Sequence, residues 1–348
     1  MKKIRKIMPI VLFGLMLTLL LGGAQLVLVP HDAAANPEAA LMGVFTDGFD
    51  KQDVLFLGDC EVYESFSTVT LWQEYGIDAW LCGSPQQLMW HSYAALVQAL
   101  EQGSPSVVVL GVYGLRYGQP QNEAYNRMAL DGLSLGLADL PLLRDAACEG
   151  ESLLSYYIPL LRYHDRWKDL TWRDVTLLWE AQETVSYNGY LMQCGVVPSG
   201  GMFADHTAAK PLTDPDFGEM ALAYLDRIVS LCRENNVELI LLKAPTDSWA
   251  YPWYDEWEMH TQTLAEHYGL SYYNLLDAVE AIGLDGERDT YDGGKHLNVT
   301  GAEKTALYFG RLLQEHHGVA DRREESDRAA YWEKETQRYE AQKQNEKP

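Results

Sequence analysis

The chain has 348 residues, 47% of them hydrophobic, enough to bury a full core in one or two domains. Asp and Glu outnumber Lys and Arg by 50 to 27, giving a net charge of −23 and a pI near 4.7. So acidic a surface repels phosphate backbones, which excludes nucleic acid as a partner, and it gives no polybasic grip on anionic lipid.

Lys2, Lys3, Arg5 and Lys6 open the chain with positive charge, and an apolar run follows from Met8 to about Val29. That run is longer than the core of a signal peptide and long enough to span a bilayer. The cationic flank stays in the cytoplasm, so everything after residue 30 is expected outside. The expectation is a single-pass, uncleaved anchor over residues 1–29. The small residues of "HDAAANP" (31–37) leave a cleaved, secreted form as the alternative.

Residues 30–50 read as a linker. From residue 51 the rhythm is strand, helix, strand. "VLFLG" (54–58), "DAWLCG" (78–83), "SVVVLGVY" (106–113), "ELILLKAP" (238–245) and "LSYYNLL" (270–276) read as buried strands. Helical patterns fill residues 86–103, 219–236 and 256–269. Continuous apolar strands alternating with helices predict an α/β fold, a flavodoxin-like three-layer parallel sheet over residues 51–320. Between about 117 and 215 the alternation lapses into a stretch rich in Trp, Tyr and Leu, expected as a largely helical insertion. Its aromatics suit either a sugar-binding groove or the insertion's own core. Residues 321–348 are so charged that they read as a solvated helix or a frayed tail.

Chemistry is expected beyond the carboxyl ends of parallel strands. Gly58, Asp59 and Cys60 stand there after the first strand. A thiol at a helix N-terminus has its thiolate stabilised and becomes a nucleophile, and nearby backbone N–H groups can hold an oxyanion. Five cysteines, Cys60, Cys82, Cys148, Cys194 and Cys232, leave at least one unpaired in an exported chain. The bland alternative for Cys60 is a structural thiol or a disulfide to Cys82. The histidine a thiolate wants is found in "DGGKHLNVTGAEK" (292–304), where Thr300 and Glu303 read as a capping box for a helix starting near Gly301. Ala302, Ala306, Phe309 and Leu313 would face the sheet. Capping leaves His296 unexplained, and Asp292 is close enough to orient its ring. His91, His164, His206 and His260 have no nameable partner. No His/Cys/Asp spacing fits a metal site.

These stretches resemble the SGNH/GDSL hydrolase superfamily. They are more similar to its exported, membrane-anchored branch, which includes DltD and the alginate O-acetylation proteins AlgJ and AlgX. "FLGDCEVYESF" (56–66) matches the first block, "CGSPQQLMWHSY" (82–93) the second, and "YDGGKHLNVTGAEK" (291–304) the last; "YIPLLRYHDRW" and "LLKAP" also look like this branch. The resemblance spans residues 51 to 325. It implies an acyl-ester hydrolase or O-acyltransferase working on a cell-surface glycan or teichoic-type polymer. Cys60 would be the nucleophile, His296 the base, Asp292 its orienter, and the N–H groups of Cys60 and Gly83 the oxyanion donors. It implies no cofactor, and a membrane-bound O-acyltransferase as partner. The chain departs from the family at three points: a cysteine replaces the serine, the aspartate stands four rather than three residues before the histidine, and Tyr113 replaces an asparagine. Together these raise the rival reading, an inactive module that binds or positions the polymer.

Overall fold

The computed structural model describes residues 2–32, 35–180, 187–199, 217–245 and 254–346. Five strands, β1 (Val54–Gly58), β2 (Ala79–Gly83), β3 (Val107–Gly111), β4 (Glu238–Lys243) and β5 (Ser271–Asn274), form one all-parallel sheet in the order β2-β1-β3-β4-β5. The chain lays down β2 on one side of β1 and β3 on the other. The carboxyl end of β1 therefore lies at the point where the strand order reverses, the ligand-binding crevice of open α/β sheets.

The helices used below are α1 (Lys2–Leu28), α2 (Cys60–Tyr63), α3 (Thr68–Tyr75), α4 (Met89–Gln102), α5 (Glu219–Glu234), α6 (Tyr254–Tyr268), α7 (Val299–His317) and α8 (Ser326–Asn345). Side chains alternate across the strands. Val54, Phe56, Val107, Val109, Ile240 and Leu242 join a core with Ala302, Ala306, Phe309 and Leu313 of α7, the face expected from their spacing. The other face is covered by α4 and α5, which pack on β1 and β4 respectively and on each other. The cap of α7 differs from expectation. Asn298, not Thr300, is the N-cap, its Oδ1 accepting from the N–H groups of Thr300 and Gly301. Asn stands where one oxygen reaches both exposed donors, a stronger cap than threonine.

The chain divides into two compact units, Met1–Pro37 with Glu149–Thr184, and Glu38–Cys148 with Val185–Pro348. The sheet lies in the second. In the first, α1 contains one stretch, Met8–Leu28, with mean hydropathy 2.3, long and apolar enough to cross a membrane.

The flanks of the sheet are more structured than the sequence suggested. Within the expected linker, Pro37–Gly48 is a helix whose Leu41, Met42 and Phe45 are buried. The charged tail is not frayed: Ser326–Asn345 is the helix α8, with Trp332, Glu335 and Tyr339 buried. Spacing of three and four residues puts those three on one face. The expected insertion contains short helical pieces, and Tyr187 and Tyr190 pack into the core against Tyr339 rather than lining a groove. Residues 181–186 and 200–216 of that stretch, His206 among them, lie outside the described residues.

Candidate functional site

Three glycines set the floor of the site. Gly58, Gly83 and Gly111 end β1, β2 and β3, and Gly58 and Gly83 are register partners. A Cβ on Gly58 or Gly111 would stand 2.4 or 2.5 Å from the Val62 side chain, and one on Gly83 would stand 2.3 Å from the Tyr63 ring. No real Cβ tolerates such distances, so the bare backbone is what lets α2 lie across the strand ends. Asp59 starts α2 by accepting a hydrogen bond from Glu61 N–H at 3.2 Å. Cys60 follows at the first helical position.

Cys60 and Cys82 are both free, and no disulfide joins them. Cys82 Sγ points instead to Met42 Sδ, 3.8 Å away. The Cys60 thiol is pushed well above its ordinary pKa by burial, reinforced by the carboxyls of Asp59, Glu64, Glu61 and Glu38. A thiolate favoured by the helix N-terminus was expected. The single turn of α2 carries little dipole, and burial with the surrounding acids outweighs it.

The loop before α7 brings in the second half. Gly293 and Gly294 have φ of +83° and +103°, a left-handed turn that folds Asp292 back onto His296. Asp292 Oδ2 lies 2.7 Å from His296 Nδ1, and Oδ1 accepts from the His296 N–H at 3.0 Å. The carboxylate fixes a proton on Nδ1 and leaves Nε2 as the reactive nitrogen. Glu64, at the end of α2, closes the circle. Its Oε2 accepts from the Tyr291 hydroxyl at 2.7 Å and stands 3.6 Å from His296 Nδ1, while the Tyr291 ring stacks on the imidazole. The element that begins at Cys60 and the loop that carries His296 thus meet at Glu64.

Charge here is crowded. Burial alone would lower the His296 pKa, but the hydrogen bond to Asp292 and the charge of Glu64 raise it to about 9. Asp292 is desolvated too, yet its hydrogen bonds from His296 hold it below the usual carboxylate range. Burial lifts Glu64 to about 7 against the pull of His296. Burial and the neighbouring Glu61 lift Asp59 to about 8. Lys243, at the end of β4 with a fully buried side chain, donates to Glu61 at 2.9 Å and to the Ala244 carbonyl at 2.9 Å. At neutral pH the site therefore holds an imidazolium and a protonated thiol; the imidazolium is a hydrogen-bond donor at rest and a base only once its proton leaves.

Of the residues singled out from sequence, Asp292 and His296 are in direct contact, Cys60 lies one helical turn from Glu64, and Gly83 contributes to the glycine floor. Glu61, Glu64, Tyr291 and Lys243 were not singled out. Their signal was the pair of glutamates in "GDCEVYESF", where every residue but Cys60 is buried, and a lysine closing an apolar strand in "LLKAP". Asp289 is held by Lys304 at 2.6 Å and by the Asp285 N–H, so it is not the partner of His296. The Tyr113 hydroxyl accepts from Arg116. His91 is a buried structural histidine whose Nδ1 accepts from Leu88 N–H. Among the described residues, no three His, Cys, Asp or Glu side chains are placed to hold a metal ion.

No protein-family model matches this chain, and no curated protein matches it.

Proposed function

We propose that the chain is an extracytoplasmic acyl-ester hydrolase or O-acyltransferase of the SGNH/GDSL type, acting on a cell-surface glycan or teichoic-type polymer. The observation that carries this reading is the meeting of two elements at the carboxyl edge of the sheet: the helix that begins at Cys60 and the loop that pairs Asp292 with His296 at 2.7 Å. Cys60 Sγ gives its proton to His296 Nε2 and attacks the ester carbonyl. The oxyanion is held by the N–H groups of Cys60 and Gly83. The C–O bond breaks, the leaving alkoxide takes the proton from the imidazolium, and a thioester remains on Cys60. A polymer hydroxyl, or water, then attacks the thioester by the same route in reverse. No cofactor takes part, and a membrane-bound O-acyltransferase is the partner that would supply acyl groups.

One observation favours a second reading, a binding module without turnover: burial and the carboxyls around Cys60 push its thiol up rather than down. Turnover of p-nitrophenyl acetate separates the two. We predict that Cys60→Ala and His296→Ala lose activity, Cys60→Ser keeps a measurable rate, and Asp292→Asn falls between. Equal background rates in wild type and all four variants would replace the enzyme by the module.

A further inference from the structure

In the unit formed by Met1–Pro37 and Glu149–Thr184, the helical turns Leu160–Tyr163, His164–Lys168 and Trp172–Thr176 pack on α1. Arg166 fixes the height at which they do so. One of its nitrogens donates to the carbonyl of Leu28, the last residue of α1, and another stands 2.6 Å from Asp174. Arg173 reaches Asp32 at 3.0 Å. Leu28 is also where the apolar stretch of α1 stops. At a rise of about 1.5 Å per residue, the 21 residues of that stretch measure about 32 Å, close to the ~30 Å of a hydrocarbon core. The Arg166 contact therefore holds the segment level with one boundary of that core.

At that level the segment turns large apolar side chains outward. Trp167, Trp172 and Trp179 are 65%, 78% and 78% exposed, and Leu154, Ile158 and Leu161 are exposed beside them. The contrast within the chain is sharp. Among the described residues, the five tryptophans of the other unit, Trp72, Trp80, Trp90, Trp257 and Trp332, are all buried. Exposed tryptophans gathered at the end of an apolar helix match the aromatic belt of the membrane interface, where an indole keeps its ring in the acyl boundary and its N–H among headgroups. Lys168, 5.8 Å from the centre of the Trp167 ring, is the kind of neighbour whose stem follows the ring while its charge stays wet.

We propose that residues 154–179 form a collar seated in the headgroup–acyl boundary of the outer leaflet, with Trp167, Trp172 and Trp179 as its anchors. The occupant of this surface is phospholipid. The collar grips through ring burial and not through charge, so high salt leaves it in place. It rests on α1 crossing the bilayer.

The test uses the full chain reconstituted in phosphatidylcholine–phosphatidylglycerol vesicles that carry acyl chains brominated near the headgroup or near the bilayer centre. Residues 1–37 contain no tryptophan, so lipid quenching cannot come from α1 itself. The expected result is strong quenching by the shallow bromines, weaker quenching by the deep ones, no loss in high salt, and a drop to about a third or less in the triple variant W167F/W172F/W179F. Quenching that is absent in wild type, or unchanged in the triple variant, overturns the collar. An emission change on adding soluble glycan, without lipid quenching, overturns it in favour of a sugar-binding surface. Carbonate extraction of the wild type separates the premise from the proposal: protein that resists extraction but shows no quenching has its helix in the membrane and no collar, whereas protein released by carbonate removes α1 as a span and the collar with it.

Discussion

The two ends of β1 and β2 hold the same raw material, buried carboxyls, answered in different ways. At the amino ends, Asp53 and Asp78 are met by arginines from the end of the chain. Arg322 grips both oxygens of Asp53 at 2.9 and 2.8 Å, Arg328 stands 3.1 Å from Asp53 and 3.1 Å from Asp78, and Trp332 donates its indole N–H to Asp78 at 3.0 Å. Two buried carboxyls face two guanidiniums, and Glu325 pairs with both arginines, at 2.9 Å from Arg322 and 3.0 Å from Arg328. At the carboxyl ends, among the described residues, Asp59, Glu61, Glu64 and Asp292 are gathered around Lys243 and His296. Burial lifts Glu64 and Asp59 to about 7 and 8, and the hydrogen bond to Asp292 with the charge of Glu64 lifts His296 to about 9. Paired charge pins the tail to the fold. Desolvated, crowded charge moves protonation into the range where proton transfer is useful.

If that contrast is right, damage at the amino end should cost stability and leave chemistry alone. We predict that Trp332→Ala, which empties a fully buried site and strips Asp78 of a donor, destabilises by about 4 kcal/mol and lowers the urea midpoint. Ester turnover per folded molecule should not change. A parallel loss of turnover would mean that the two ends are not separate. Lys243→Met strikes the other end by leaving Glu61 buried without its cation. The expected cost is about 3 kcal/mol, most of it recovered when Glu61→Gln is added to the same chain. A double variant as unstable as Lys243→Met alone would show that packing of the lysine stem, and not its charge, holds the site.

How much of this was legible in the sequence follows the same division. The apolar runs gave β1 to β4 to within a few residues, because a strand buried on both faces has few polar interruptions to blur its ends. Cys60, Asp292 and His296 could be picked out because a glycine or a turn placed each at a strand or helix end. The amino-end pin could not, since its partners lie more than 250 residues apart in the chain. Trp332 and Tyr339 are also hidden among charges that read as solvent-facing. Glu64 and Lys243 escaped for a related reason. A glutamate four residues after a cysteine carries no meaning until the glycine floor lets α2 lie flat over β1–β3, and Lys243 pairs with Glu61 across 182 residues.

A smaller effect is the slope of stability against pH. Asp59, Glu64 and His296 all have folded pKa values above their ordinary ones of 3.8, 4.5 and 6.5. Each therefore binds its proton more tightly when folded, and contributes stability that is complete below the ordinary value and lost as pH climbs through 7, 8 or 9. Asp78, raised by burial to about 6, has finished its change by neutral pH. The amino end thus adds nothing to the slope above pH 7. We predict a melting temperature that falls by a few degrees between pH 7 and 9, and a shallower fall in Asp59→Asn, which keeps the oxygen that caps Glu61 N–H. An unchanged slope in that variant would move its source away from the strand ends.

The finest cut is Glu64→Gln. The amide can still accept from the Tyr291 hydroxyl, so the loop keeps its contact and only the charge 3.6 Å from His296 goes. In the proposed reaction His296 acts as a base when neutral, so wild-type turnover should rise with pH through about 9. Removing one of the carboxyls that hold the imidazolium should shift that rise to lower pH by about one unit, equivalent to about 1.4 kcal/mol, with little change in the alkaline plateau. Asp292→Asn should also shift the rise, but it should lower the plateau as well, because the ring loses the partner that fixes its tautomer. A glutamate that served only packing would scale the rate equally at every pH. A midpoint that stays where it is in Glu64→Gln would show that Asp292 alone sets the imidazole, and that the surplus of acids at this end of the sheet has no part in placing its proton.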